Sequence, residues 1–261
     1  MSFISFFCVN FLSYPLCYDP PIELGPRTQE DIGHQTLDIV IVIQMKAIIF
    51  DMDGVIIDSE KHWKKAELTF FGELLPSWTK EDQQKIIGIN VHETYRILAN
   101  DYGLGLTHQE FTERVNGIAL EVYRNKCNLI DGFLDLIKEL KTKNQKIALT
   151  SSSLNEWIDI VLERFKLKPF FDVVISAEDI DAPGKPKPDI YLYTAKKLNI
   201  EPDECVAIED SHHGVIAAKS AGMMCVGLRN GFNDAQNLSA ADIQIKGFTP
   251  KNNQKLISLL K

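Results

Sequence analysis

The sequence predicts an α/β fold, a doubly wound parallel sheet interrupted by an inserted helical lobe. Three observations carry that prediction. A short apolar run, Lys46-Ala-Ile-Ile-Phe50, ends on Asp51-Met-Asp53-Gly54, as a buried strand does on entering a loop. Residues 60–128 then show helical periodicity and no convincing strand. From Ile130 onward, short apolar runs alternate with helical patterns, which is how parallel strands joined by crossover helices read.

Taken in order, Trp63, Ala66, Phe70 and Leu74 recur at helical spacing, and Pro76 ends that helix. Helical segments follow over 80–87 and 91–102, with Gly88 and Gly103 as breaks. A longer one covers 107–126, opened by the capping-box pair Thr107 and Glu110. Phe133, Ile137 and Leu140 mark the next helix, and 146–150 a strand. Ser153 and Glu156 have the spacing of a second capping box ahead of Trp157, Val161 and Phe165. Strands over 171–175, 205–208 and 224–228, helices over 189–198 and 212–221, an edge strand over 242–245 and a final helix over 251–260 complete the pattern. The whole reads as a Rossmann-like core over 45–59 and 129–261, with 60–128 as a helical cap domain.

Residues 1–44 read differently. The apolar stretch 1–18 has no Lys or Arg ahead of it and is interrupted by Asn10 and Pro15, unlike a secretory signal or a membrane helix. The folded protein is expected to begin near Met45, with 1–44 an upstream extension outside the fold, a mis-assigned start being one source of it. A strand or membrane-surface role for the apolar patch 39–43 is the alternative.

Composition narrows the function classes. With 45% hydrophobic and 25% charged residues in 261, the chain has the make-up of a soluble globular protein. A formal charge of -8 argues against general nucleic-acid binding, which needs a basic face. It leaves an anionic substrate open, because the field in a cleft can oppose the global sign. Cys8, Cys17, Cys127, Cys205 and Cys225 have no metal-ligand or redox spacing, so a reducing cytoplasm is the expected compartment. No membrane or obligatory protein partner is expected.

In a parallel sheet, chemistry gathers at the carboxyl ends of strands. Four polar groups stand at such ends or in the adjoining loops: Asp51 and Asp53; Thr150 to Ser153; Gly184-Lys185-Pro186; and Glu209-Asp210-Ser211. Neighbouring carboxylates need a cation or a shared proton. A carboxylate nucleophile, a hydroxyl, a lysine and a second acidic pair make a complete set for phosphoryl transfer with Mg²⁺. Each has a plainer reading: a loop or cap for the aspartates, a solvated loop for Lys185, helix capping for Ser211, sheet packing for Thr150. His212 and His213 are expected in a solvated first turn, and His34, His92 and His108 on the surface.

These four motifs in order, Asp51-Met-Asp53-Gly54-Val55, Thr150-Ser151-Ser152, Gly184-Lys185-Pro186 and Glu209-Asp210-Ser211, resemble the haloacid dehalogenase superfamily, within its beta-phosphoglucomutase-like group. The resemblance spans Met45 to the C-terminus. It implies Asp51 as the nucleophile that becomes an aspartyl phosphate and Asp53 as the acid and base. It implies Mg²⁺ on Asp51, the Asp53 carbonyl and Asp210, with Glu209 in or next to that shell. Ser151 and Lys185 would hold the phosphoryl group, helped by backbone N–H groups around Gly54 and Ser152.

Sugar-phosphate mutases of this group carry a cap-hinge histidine ten residues after the second aspartate. Here that position is Trp63, and His62 is one place off, turned by about 100° on a helix. The matching cap stretch 88–92 lacks an Arg, although Ser153 and Asn155 offer polar groups for a distal part of the substrate. The runs Ile57-Asp58-Ser59-Glu60, Trp63 and Ala66-Glu67 are instead similar to sugar- and hexitol-phosphate phosphatases, with Trp63 available to pack on a sugar. A phosphatase acting on a small phosphorylated metabolite is thus the favoured reading and a mutase the runner-up. A signalling receiver domain is disfavoured by the Asp51-x-Asp53 spacing and the long insertion.

Overall fold

The structure is a computed structural model and describes residues 45–260. The expectations for 1–44, including Cys8, Cys17, His34 and the patch 39–43, lie outside the described residues. Six strands form the sheet: β1 Ala47–Phe50, β2 Lys146–Ser151, β3 Val173–Ser176, β4 Cys205–Glu209, β5 Met224–Arg229 and β6 Ile243–Lys246. Their order is β3-β2-β1-β4-β5-β6, with every neighbouring pair parallel. The chain builds outward from β1 in one direction through β2 and β3, and in the other through β4, β5 and β6. The reversal falls at β1, which makes its carboxyl end the switch point of the sheet.

The period-2 geometry of a strand sorts its side chains between two faces. Ile48 and Phe50 join Ile147, Leu149, Val206 and Ile208 in one core. Ala47 and Ile49 join Ala148, Cys205 and Ala207 in the other, against Ala217 and Ala218. Bulky residues fill the first face and small ones the second, where two helices, α7 Asp189–Leu198 and α8 His212–Ser220, contribute Tyr191 and Val215. All four residues of β1 are fully buried.

Between β1 and β2 the described residues form α1 Glu60–Leu74, α2 Lys80–Gln84, α3 Val91–Tyr102, α4 His108–Glu121 and α5 Phe133–Thr142, with no strand. Two more helices, α6 Asn155–Arg164 and α9 Pro250–Ser258, complete the set. The chain enters and leaves the helical stretch at one place. Asp58 N–H donates to the Asn128 carbonyl (2.9 Å) and Ile130 N–H to that of Ile56 (2.9 Å).

Four sequence expectations need correction. Helix α2 stops at Gln84 rather than reaching Ile87, because Ile86 and Ile87 turn inward and Gly88 takes φ +79°. Helix α4 ends at Glu121, and 122–126 form a single π-helical turn closed by Cys127 N–H on the Val122 carbonyl (3.0 Å). Strand β3 starts at Val173 because Lys168–Phe170 form a 3₁₀ turn just before it. The Ser153–Glu156 capping box does not form. The N-cap of α6 is Leu154, Ser153 Oγ is engaged elsewhere, and Asn155 N–H donates to Glu178 Oε2 (2.7 Å) instead. By contrast, the Thr107–Glu110 box is present.

Candidate active site

The site begins where β1 stops. Asp51 leaves the sheet at its centre, and the chain then folds back on itself: Gly54 N–H donates to the Ile57 carbonyl (2.8 Å), and Ile56 N–H to that of Met52 (2.8 Å). That tight loop needs Gly54 at φ +75°, a left-handed conformation open to glycine. A methyl group at Gly54 would also collide with the Asp210 carboxylate, so two acidic loops can close on one another only there.

Around Asp51 the other strand ends converge. Glu209, the last residue of β4, and Asp210 each offer a carboxylate oxygen within 4.8 Å of the other and of one from Asp51. All three residues are buried. Lys185 is 3% exposed, and its Nζ donates to Asp51 Oδ1 (2.6 Å) and Glu209 Oε1 (2.5 Å). Tyr191 OH also donates to Glu209 Oε1 (2.5 Å), and Asn230 Nδ2 bridges Asp210 Oδ2 (2.9 Å) and the Gly54 carbonyl (2.7 Å).

The charge balance is uneven. Burial lifts the Asp51 carboxyl well above its usual range, against the pull of Lys185, with Glu209 and Asp53 adding to the rise. Burial does the same to Asp210, reinforced by Glu60, Asp51 and Glu209. Lys185 is held above its ordinary value because Asp51 and Glu209 outweigh its own burial. One ammonium thus bonds two of the three buried carboxyl groups, and Asp210 has no cationic partner among the described residues. The remaining negative charge, the oxygen-only donors and the close approach that Gly54 permits all fit a hard divalent cation.

Asp53 points to a different set of partners. Its Oδ1 accepts from Ser59 Oγ (2.6 Å) and Tyr123 OH (2.9 Å), and its Oδ2 from Ser153 Oγ (2.8 Å). Burial raises its carboxyl above the ordinary value despite these three donors. Its side chain lies outside the three-carboxylate cluster.

One cavity of about 100 Å³ reaches Asp51, Asp53, Ser151, Ser152, Ser153 and Asp210, and is lined from α1 and α4 as well. Trp63, Glu60, Glu67 and Phe70 of α1 also line it, at a spacing that puts them on one helical face. Burial lifts Glu60 to about 8, with Asp53 and Glu67 adding to it, and lifts Glu67 to about 7. No basic side chain lines this cavity among the described residues.

Most of the residues picked from the sequence thus meet. Ser151 Oγ accepts the Ser153 N–H (3.0 Å), and Ser152 Oγ donates to the Gly88 carbonyl between α2 and α3 (3.0 Å). Thr150 packs in the sheet against Thr194 (2.7 Å), and Ser211 caps α8 through Gly214 N–H (3.0 Å). Asn155 stands apart from the cavity lining, its side-chain amide donating to Asp179 (3.1 Å). His212 and His213 are half-buried rather than solvated, and their Nδ1 atoms contact the carbonyls of Asn237 (3.0 Å) and Ile87 (2.9 Å). His92 and His108 are on the surface, ring against ring (2.8 Å between nitrogens).

Further participants escape the sequence reading. Asn230 follows the end of β5, so the strand-end rule reaches it in principle. Glu60 and Glu67 appear in the quoted runs, yet nothing in their spacing separates cavity from solvent. Tyr123 carries no sequence signal, because the π-helical turn that aims it is invisible to helical periodicity.

Comparison with known proteins identifies the family. The family model described as haloacid dehalogenase-like hydrolase matches residues 48–228. Hexitol phosphatase B of Escherichia coli K12 is 34% identical over 70% of this chain and 83% of its own length. The phosphorylated carbohydrates phosphatase of Thermotoga maritima is 31% identical over 76% and 91%. The solved beta-phosphoglucomutase of Clostridium difficile superposes with a TM-score of 0.67 at 27% identity, covering 81% of this chain and 96% of that one. On the sequence match alone, which runs from β1 through β5, the chain belongs to the haloacid dehalogenase-like hydrolase family.

Proposed function

We propose that the protein is a Mg²⁺-dependent phosphatase that hydrolyses a small phosphorylated metabolite, a sugar or sugar-alcohol phosphate, through an aspartyl phosphate on Asp51. The observation that carries this reading is the position of Asp51 at the switch point of the sheet. There its carboxylate meets Lys185 and the Glu209–Asp210 pair, and Asp53 faces the same cavity. In domain terms, 60–128 form a cap over a core of 45–59 and 129–261.

Asp51, Glu209, Asp210 and the Asp53 carbonyl would hold Mg²⁺, which supplies positive charge for the phosphoryl oxygens. Lys185 supplies a fixed positive charge beside the nucleophile, and Ser151 with the backbone N–H of Ser152 holds the phosphoryl group. A carboxylate oxygen of Asp51 attacks phosphorus. As the bond from phosphorus to the leaving oxygen breaks, Asp53 gives that oxygen its proton. Asp53 then takes a proton from the water that attacks the aspartyl phosphate and frees Asp51. Burial keeps the Asp53 carboxyl above the usual range, which suits a group that must carry a proton near neutral pH.

Phosphatase is preferred to mutase because the lining offers no basic side chain for a second phosphate, and Trp63 fills the hinge position. A cytoplasmic setting, with no nucleic acid, membrane or obligatory protein partner, accords with this reading. No helix among the described residues is long and apolar enough to cross a membrane. The test is a panel of hexose and hexitol phosphates with Mg²⁺, scored for free phosphate and for isomerisation. Phosphate release lost in Asp51→Asn is expected, and turnover retained in that variant would remove the nucleophile assignment. Isomerisation of a hexose 1-phosphate without free phosphate would establish the mutase instead.

A further inference from the structure

Tyr123 has no role in the reaction described above, yet it is among the most constrained side chains of the cavity. It is 1% exposed, and its hydroxyl donates to Asp53 Oδ1 (2.9 Å). The phenol oxygen accepts from Trp63 Nε1 (3.1 Å) and lies 3.2 Å from Ser153 Oγ. Its ring stands 5.9 Å from Trp63 and 5.9 Å from Trp157. Trp157 is itself fixed by its indole N–H on Asn116 Oδ1 (2.6 Å).

The backbone is adapted to this placement. In a regular helix Phe111, Val115, Ile118 and Val122 share one face, and Tyr123 would turn about 100° away from it. The π-helical turn 122–126 widens the helix at that point, and both Val122 and Tyr123 are buried. Such turns are rare, and many of them lie at functional sites. The Tyr123 carbonyl accepts from Arg164 Nη1 of α6 (2.8 Å), because Asn128 N–H, its partner in a continued π turn, donates to Asp58 Oδ1 (2.6 Å).

We propose that Tyr123, held by Trp63, is a positioning residue that fixes the Asp53 carboxyl so that Oδ2 is the oxygen that exchanges a proton with substrate. The reasoning is a count of lone pairs. Oδ1 accepts from both Ser59 and Tyr123, which occupies its two acceptor sites, whereas Oδ2 accepts from Ser153 alone and keeps one site open. In the first step Oδ2–H gives its proton to the leaving oxygen, which takes the electron pair of the breaking bond to phosphorus. Without the phenol, Oδ1 and Oδ2 would each accept from one serine, and the broad, roughly two-fold last torsion would let either oxygen take the proton-exchanging place.

This inference rests on the phosphatase reading and on Asp53 as its acid, and the experiment separates the two. The quantity measured is kcat/KM of the Mg²⁺-loaded enzyme, which covers the steps through release of the leaving group. Wild type, Tyr123→Phe, Trp63→Phe and Asp51→Asn are compared on a hexitol phosphate, whose leaving alkoxide needs a proton, and on p-nitrophenyl phosphate, whose leaving group does not. Tyr123→Phe should lose about 100-fold on the hexitol ester, within the range of proton-transfer catalysis, and at least about tenfold less than that on the nitrophenyl ester. Trp63→Phe should show the same bias at smaller size, and it reports on the relay even if Tyr123→Phe fails to fold. Equal losses on both esters, or no loss on either, overturn the positioning role while leaving the phosphatase standing. Absence of turnover in wild type, or turnover retained in Asp51→Asn, overturns the underlying reading and this inference with it.

Discussion

Lys185 reaches Asp51 through a buried ion pair of 2.6 Å that joins the loop before α7 to the end of the central strand. The same ammonium lies 2.5 Å from Glu209, so one side chain balances carboxylates from two neighbouring strands. A charge shared in this way is costly to remove, because both partners stay behind, buried and unpaired. Lys185→Met is expected to destabilise the protein by about 3–5 kcal/mol and to abolish phosphate release. Urea denaturation and the phosphate assay check the two halves separately. Lys185→Arg should not restore activity, because a planar guanidinium cannot take the place of a compact ammonium in so tight a site.

Gly54 makes a second prediction. Its φ of +75° and the proximity of the Asp210 carboxylate mean that a single added methyl strains the backbone and pushes an acidic loop aside. Gly54→Ala should fold, since the position lies in the loop beyond the end of β1 and outside the sheet. A displacement of about 1 Å at the reacting groups can cost about 100-fold in rate, and a loss of that order is expected in kcat. The Mg²⁺ concentration for half-maximal activity should rise as well. An unchanged metal requirement would show that the approach of Gly54 to Asp210 is not what shapes the cation site.

These two cases show what can be read from sequence. Asp51, Glu209 and Asp210 stand at strand ends, which a parallel sheet brings together, and Lys185 lies in the loop between β3 and α7. Knowing the strands is therefore enough to gather the carboxylates. Asp53 is legible as a carboxylate near the site, but its partners are not. Ser153 carries the pattern of a helix cap and bonds Asp53 instead, because tertiary geometry offers its hydroxyl a buried carboxylate and gives Asn155 N–H another acceptor. Tyr123 is hidden further, since one π-helical turn breaks the 3.6-residue period by which a buried face is recognised.

Glu67 gives a pH prediction. Burial raises its carboxyl from the ordinary 4.5 to about 7, while Gln83 Nε2 (2.8 Å) and Lys64 pull the other way. The folded state therefore holds this proton over a range of pH in which the unfolded chain has released it. Its stabilising contribution is complete below about 4.5 and is lost as pH rises through about 7. Between pH 5 and pH 8 the melting temperature of wild type should fall by more than that of Glu67→Gln, whose amide does not titrate. Equal falls would mean that Glu67 is solvated in the folded protein.

The three-carboxylate cluster yields a prediction in which stability and activity move in opposite directions. Without a cation, Asp210 is buried beside Glu60, Asp51 and Glu209, and its carboxyl sits well above the usual range. Charging it at neutral pH works against the fold, so Asp210→Asn should melt higher than wild type in EDTA. With Mg²⁺ the order should reverse. A ligand that binds only the folded state stabilises by about 2.7 kcal/mol at 100 times its Kd, and wild type gains this while the variant does not. Asn keeps the acceptor that Asn230 Nδ2 uses but brings no charge to a cation, so phosphate release should be lost even though the apo fold is firmer. Thermal melts of both proteins with EDTA and with Mg²⁺ decide the matter. An equal Mg²⁺-induced rise in the two would place the cation elsewhere than on Asp51, Glu209 and Asp210.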